Sequence, residues 1–348
     1  MPYYQPLKYL KKDERSRTVR NLLKLRRQLD DEIPKKTATD TLLLATWNMK
    51  EFADNRRKES LHYIAEIISR FDLVAVQEVK ENVGGLQKLM SLLNLNWDYI
   101  YTDITEGDPG NKERMAFIYD KSKVSFNKMV GKVVLGFDNL LESEKGGLQF
   151  ARTPFCMALQ AGWFKFVLNT VHIYYGTTSV ADRNKRAKEI LALTKILSKR
   201  ADKEDVSYIL LGDFNIPKTK PSDIVMQALD GSDFVVPDAI REHPSDLGGT
   251  KHYDQIAFKI KLKDKMTVFS EEEQKAGAFN FAQTVYRDKI EDAETYKQYF
   301  PANQKNKKGD ELLSYYKTHW RTRQMSDHLP LWVELKIDFS DQYLEKHL

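Results

Sequence analysis

Cysteine is nearly missing from this chain: Cys156 is the only one in 348 residues. That excludes an intramolecular disulfide framework and any cysteine-clustered zinc site. Cys156 itself lies in the alternating run FCMALQ, where a buried thiol is expected. Long apolar runs are missing too. No stretch approaches the roughly 20 residues that a membrane-spanning helix needs, and the opening MPYYQPLKYLKKDERSRTVR has no apolar core of the signal-peptide kind. The expectation is a soluble, cytoplasmic protein without a membrane partner. There is no internal repeat, and no HExxH spacing to suggest a zinc protease.

What is present is enough for a large core, since 41% of the residues are hydrophobic. The formal net charge of +5 suits a polyanionic partner. Its distribution is more informative. Residues 8–27 carry nine Lys or Arg against two acids, Asp13 and Glu14. Residues 1–37 therefore read as a basic helical N-terminal arm, with Val19, Leu22, Leu23 and Leu25 as its docking face. A second basic stretch, NQKNKKGD, continues towards Arg321 and Arg323. Each alone reads as a solvated surface; together they make contact with a phosphate backbone a reasonable expectation.

Beyond the arm, TLLLATW reads as a strand and RKESLHYIAEIISRF as a helix with Leu61, Ile64, Ala65 and Ile68 at helical spacing. DLVAVQE is a short apolar strand and GGLQKLMSLL a second helix. WDYIYTD, RMAFIYD and KVSFNKMVGKVV follow as strands with no helix between them, which predicts antiparallel pairing. FCMALQAGW and KFVLNTVHIYY are strands, and the next helix groups Ala187, Ile190, Leu191, Thr194 and Leu197 on one face. VSYILLGDFN, YDQIAFKI and LPLWVELKI complete the strands. Residues 269–320, rich in Tyr, Phe and charge, read as a helical insertion before the last of them.

Consecutive strands with scattered helices fit an α/β sandwich. A TIM barrel is excluded by position, because its site residues all follow their strands. Here Asn48, Glu78, His172 and Asp213 follow strands, whereas Asp254, Asp327 and His328 precede them. Strands running in both directions are needed to bring all seven to one edge.

The polar residues at these strand ends form an ordered set: Asn48 in TWN, Glu78 in VQE, Glu113 in KER, Arg152 in FART, His172 in TVH, Asp213 and Asn215 in GDFN, Asp254 in YDQI, and Asp327 and His328 in SDH. Carboxylate and amide oxygens suit a hard cation such as Mg²⁺ or Mn²⁺. Two histidines with carboxylates available can be oriented for proton transfer, and an arginine can recognise phosphate. The combination points to metal-assisted hydrolysis of a phosphate ester.

This set, in this order, resembles the endonuclease/exonuclease/phosphatase superfamily, and KER, FART and SDH look most like its deoxyribonuclease I branch. The resemblance covers roughly residues 41–340 and implies a DNase I-like four-layer sandwich, two packed mixed β-sheets flanked by helices, with residues 38–348 as the catalytic domain. It implies that Glu78 and Asp327, helped by Asn48, hold Mg²⁺ or Mn²⁺; that His172 pairs with Glu113 and His328 with Asp254; that Asp213 and Asn215 orient the water or the phosphate; and that Arg152 neutralises a phosphate oxygen. Which histidine is the general base stays open. The absence of disulfides departs from that branch, and the basic arm and the 269–320 insertion have no counterpart in it. The expected activity is a divalent-metal-dependent nuclease acting on DNA, favouring internal nicking. The alternative is a phosphatase or phosphodiesterase acting on RNA, a small molecule or a lipid phosphoester. A nucleic-acid-binding protein without catalysis fits less well, because the set is complete.

Overall fold

The computed structural model describes residues 1–105, 111–137, 140–141, 147–204, 206–261 and 275–348. Two mixed sheets stack face to face. The first holds β1 (Thr41–Phe52), β2 (Leu73–Lys80), β3 (Trp97–Tyr101), β4 (Glu113–Asp120), β10 (Ala276–Ala278) and β11 (Leu331–Lys336), in the order β10-β11-β1-β2-β4-β3. The second runs β5 (Val124–Lys132), β6 (Phe155–Ala161), β7 (Phe164–His172), β8 (Ser207–Asp213) and β9 (Asp254–Lys259), in chain order. One pair in each sheet's middle is parallel, β1 with β2 and β7 with β8, and all other pairs are antiparallel.

Strand β1 shows why the layers form. Its alternate residues belong to different cores: Leu42 and Leu44 join the cluster between the sheets, while Leu43, Ala45 and Trp47 join the cluster under the helices. A strand apolar at both parities has to be covered on both faces. Phe117 of β4 and Phe155 of β6 stack across the inter-sheet layer, centroids 5.0 Å apart. The outer face of the first sheet is covered by α1 (Lys12–Glu32), α2 (Lys58–Ile68) and α3 (Gly84–Leu92), and that of the second by α4 (Val180–Glu204) and α5 (Ile224–Asp230). The expected four-layer α/β sandwich is the observed architecture.

Four local expectations need correction. In α1 the buried positions are Thr18, Leu22, Leu25 and Leu29, whereas Val19 and Leu23 face solvent. Three leucines within four residues left the phase of the stripe ambiguous; packing on α2 sets it. The apolar face of α4 uses Leu193, and Leu191 is exposed. β5 does not pair with β4 but starts the second sheet beside β6. The insertion contributes a strand, β10, on the free edge of β11 before its helices, which include Ile290–Tyr296 and Gly309–Tyr315; residues 269–274 of the predicted span lie outside the described residues.

The arm helix is bound by more than its leucines. Arg17 donates to the fully buried Glu59 of α2 at 2.9 Å, and the Arg57 guanidinium, which also holds Glu59, lies 3.4 Å from the Tyr299 ring centroid of the insertion. Tyr286 of the insertion hydrogen-bonds Ser60 at 2.6 Å. Burying Glu59 is tolerable because two guanidinium groups and two hydroxyls, of Thr18 and Tyr286, share its charge.

Candidate active site

The carboxyl ends of β1, β2, β7 and β8 meet the amino ends of β4, β9 and β11 along one edge of the sandwich. Below that edge Gln77 ties the sheets together, its amide donating to Thr46 at 3.0 Å and to Thr170 of the opposite sheet at 2.8 Å, all three buried. β7 and β8 also approach closely there. Gly212 adopts φ +134°, and a Cβ on it would lie 2.2 Å from the Val171 carbonyl oxygen, so no side chain fits. Among the described residues eight non-glycine positions have positive φ, and four of them, Lys50, Glu51, Glu78 and Asn215, surround this edge. Such conformations persist where surrounding contacts over-determine them.

Both imidazoles lie beside a carboxylate, but only His328 makes an aligned hydrogen bond through Nδ1; His172 Nδ1 is close to Glu113 without one. His172 Nδ1 lies 3.0 Å from Glu113 Oε2, and His328 Nδ1 lies 2.7 Å from Asp254 Oδ2. Their Nε2 atoms face one carboxylate oxygen from two sides: Asp213 Oδ2 is 3.6 Å from His172 and 3.8 Å from His328. Asp213 is fixed by its neighbours, taking the Asn215 N–H on Oδ1 and the Asn48 amide on Oδ2, each at 2.9 Å. The Asn215 side chain donates to the Ile173 carbonyl at 2.8 Å.

Burial opposes charge on His328, yet the Asp254 and Asp213 carboxylates outweigh it and hold the imidazole well above its ordinary range, as a cation. Asp254 is raised by its complete burial and relieved in part by His328. For Glu113, burial acts upward, but His172, Arg152 and Lys80 together bring the carboxyl down to about 2. Arg152, expected to meet phosphate, sits in the loop before β6 and donates through Nε to Glu113 at 2.7 Å.

The expected metal ligands are only partly assembled. The Asn48 amide nitrogen donates to Glu78 Oε1 and to Asp213 Oδ2, both at 2.9 Å, while its oxygen accepts the Lys50 backbone N–H, which fixes the orientation of the amide. Asn48 thus stands as a donor between two carboxylates. Asp327 is paired with the Lys50 ammonium at 2.6 Å. Among the described residues Glu78, Glu113 and His172 place ligand-type atoms within 4.8 Å of one another; Asp327 is outside that group. The carboxylate oxygens of Glu78 and Glu113 beside the His172 imidazole are a donor set that fits a divalent cation.

Several neighbours escaped the sequence reading. Glu189 of α4 accepts the backbone N–H of Ala151 at 3.0 Å and of Tyr174 at 2.9 Å, so one buried carboxyl clamps the segments that carry Arg152 and His172. Burial lifts its pKa to about 7. Its signal was an acid beside Ile190 on the buried face of a helix. Ser326 bonds the Asn48 carbonyl at 2.6 Å and accepts the His328 N–H at 2.9 Å, seating the SDH turn. The Tyr253 ring lies 5.5 Å from the His328 ring. Of the histidines outside the set, His62 is buried in α2, where burial lowers it to about 4, and His319 stacks on Tyr315.

A site of this make-up on a four-layer mixed sandwich defines a class. The sequence model of the Endonuclease/Exonuclease/phosphatase family matches residues 45–287, and the chain belongs to that family. A curated relative, rat (Rattus norvegicus) deoxyribonuclease-1, is 34% identical over 92 residues, 24% of this chain and 32% of the relative. The chain thus matches about a third of that relative's length. Similar solved structures include a Bacteroides thetaiotaomicron mannosyl-6-phosphatase (TM-score 0.51, 17% identity, 84% of this chain and 99% of the other) and the human Nocturnin catalytic domain (TM-score 0.50, 13% identity, 85% and 94%). At these identities the structural likeness speaks for the fold. No helix among the described residues is long and apolar enough to cross a membrane.

Proposed function

We propose that this protein is a divalent-metal-dependent nuclease that hydrolyses DNA phosphodiester bonds and nicks strands internally. The observation that carries the proposal is the convergence of two carboxylate-held imidazoles on Asp213, Nε2 atoms 3.6 and 3.8 Å from one oxygen. In-line hydrolysis needs a group that takes a proton from water and another that gives one to the departing oxygen.

His172, oriented through Nδ1 by Glu113, presents Nε2 as acceptor and removes the water proton. His328, kept cationic by Asp254 and Asp213, donates to the oxygen released when the P–O bond breaks. Asp213 and Asn215 orient the water between them. Arg152, held by Glu113 through Nε, neutralises a phosphate oxygen with its other guanidinium N–H groups. Glu78 and Asp327, with Asn48 beside them, would hold Mg²⁺ or Mn²⁺, which supplies Lewis-acid polarisation of the phosphoryl group. Asp327 would have to release its Lys50 ion pair to hold such a cation.

DNA is favoured by the name of the rat relative and by the arm, where Lys8, Lys11, Lys12, Arg15, Arg20, Lys24 and Arg27 stay exposed. A phosphomonoester is the second reading, because one structural relative is a sugar phosphatase. The deciding experiment offers DNA, RNA and p-nitrophenyl phosphate in Mg²⁺ or Mn²⁺ with an EDTA control. Chelator-sensitive turnover of DNA is expected; turnover of the monoester alone would refute the nuclease reading.

A further inference from the structure

A cavity of about 470 Å³ opens beside the catalytic edge. It is separated from the catalytic histidine by one ring: Tyr253 lines it and lies against His328. Its other links to the site run through Arg186, whose guanidinium donates to the Asn215 carbonyl at 2.6 Å and to the Thr177 carbonyl at 2.7 Å. The cavity is therefore built onto the segment that carries Asn215.

Its lining is strongly basic. Arg183, Arg186, Lys218, Lys220 and Lys251 contribute cations, and the one lining acid, Asp223, is taken by Arg183 at 3.0 Å. Among the described residues the ammonium groups of Lys218, Lys220 and Lys251 have no carboxylate partner. Two further donors stand unused. The Nε–H groups of Arg183 and Arg186 are buried and lack an acceptor among the described residues. Buried donors without partners are uncommon in folded proteins, and both belong to side chains in the cavity wall.

The aromatic side complements this charge. Tyr175 is 40% exposed and stands edge-on to Tyr253, centroids 6.4 Å apart at 89°. An exposed ring bordered by cations is the surface on which single-stranded nucleic acids seat a base and its phosphate. A sugar phosphate or an inorganic phosphate would use the cations and leave the ring idle.

We propose that this cavity binds the nucleotide next to the scissile phosphate of a nucleic-acid chain, its base on Tyr175 and its phosphate at Lys218, Lys220 and Lys251. The proposal rests on the phosphodiesterase reading above and extends it: the substrate is a chain, and one flanking nucleotide contributes to its affinity.

The test uses the full chain and a fluorescein-labelled ten-nucleotide single-stranded DNA. Its binding is followed by anisotropy over a salt series, and its cleavage in Mg²⁺ or Mn²⁺ is followed by gel. For a Lys218→Ala/Lys220→Ala double variant, KM should rise about tenfold with kcat within about threefold, and the slope of log K against log salt should fall by about 1.4. Tyr175→Ala should weaken binding about tenfold without changing that slope. Binding, slope and KM all within twofold of the parent protein would overturn the proposal. Bis(p-nitrophenyl) phosphate, offered to the unaltered protein, tests the phosphodiesterase reading separately. If that diester and the DNA are both left intact, the reading fails, and anisotropy still decides the cavity.

Discussion

Replacing Glu113 by glutamine keeps the shape of the side chain and removes one buried charge. Glu113 Oε2 lies 2.7 Å from Arg152 Nε and 3.0 Å from His172 Nδ1, and all three residues are at most 7% exposed. The carboxyl falls from its ordinary 4.5 to about 2, which at 1.36 kcal/mol per pKa unit corresponds to ~3 kcal/mol of stability. Breaking a buried ion pair by removing one partner costs a similar ~3–5 kcal/mol. Because the folded-state value is depressed, this contribution is complete above the unfolded value and is lost as pH falls through about 2. Urea unfolding of parent and Glu113→Gln should therefore differ by ~3 kcal/mol at pH 7 and by less than about half of that at pH 3. Activity should fall by about 10²–10⁴, because His172 loses the group that orients it. A stability difference below about 1 kcal/mol at pH 7, or one that does not change with pH, would refute the reasoning.

Leu25→Ala in the arm helix should cost about 3 kcal/mol in urea unfolding, because Leu25 is fully buried, whereas Leu23→Ala on the exposed side should change stability by about 0.5 kcal/mol or less; equal effects would show that the arm is not part of the core. Glu189 has its folded value raised, so its ionisation opposes folding from about pH 4.5 upward and the penalty reaches ~3 kcal/mol above pH 7. Relative to Glu189→Gln, the parent should lose stability between pH 5 and 8 in urea melts, and a constant difference would contradict a neutral buried carboxyl.

Much of this was readable in the sequence because the signals were local. The helix over Lys58–Ile68 follows from its apolar spacing, and the chemistry-bearing residues were visible as polar ends of apolar strands. What was not readable depends on partners distant in the chain. The turn between Asp120 and Val124 looks like a hairpin, yet β5 leaves for the other sheet, because nothing local distinguishes a strand that pairs with its predecessor from one that packs beneath it. β10 has only three residues, too few for a periodic signal. In the site, the residue types were legible but their connections were not. Asn48 as a donor between two carboxylates, Lys50 on Asp327, and the Glu189 clamp each join segments from 30 to 277 residues apart, or tie a helix to two loops.

The proposed chemistry has the imidazoles of His172 and His328 acting beside Asp213 on a phosphodiester in DNA. The most direct test is conversion of supercoiled plasmid to open circle in Mg²⁺ or Mn²⁺, comparing the parent protein with Asp213→Asn and checking by urea melt that the variant folds. Nicking by the parent is expected, abolished by EDTA and reduced about 10²–10⁴-fold in the variant. Nicking by a folded Asp213→Asn protein at a rate within a few-fold of the parent would contradict it.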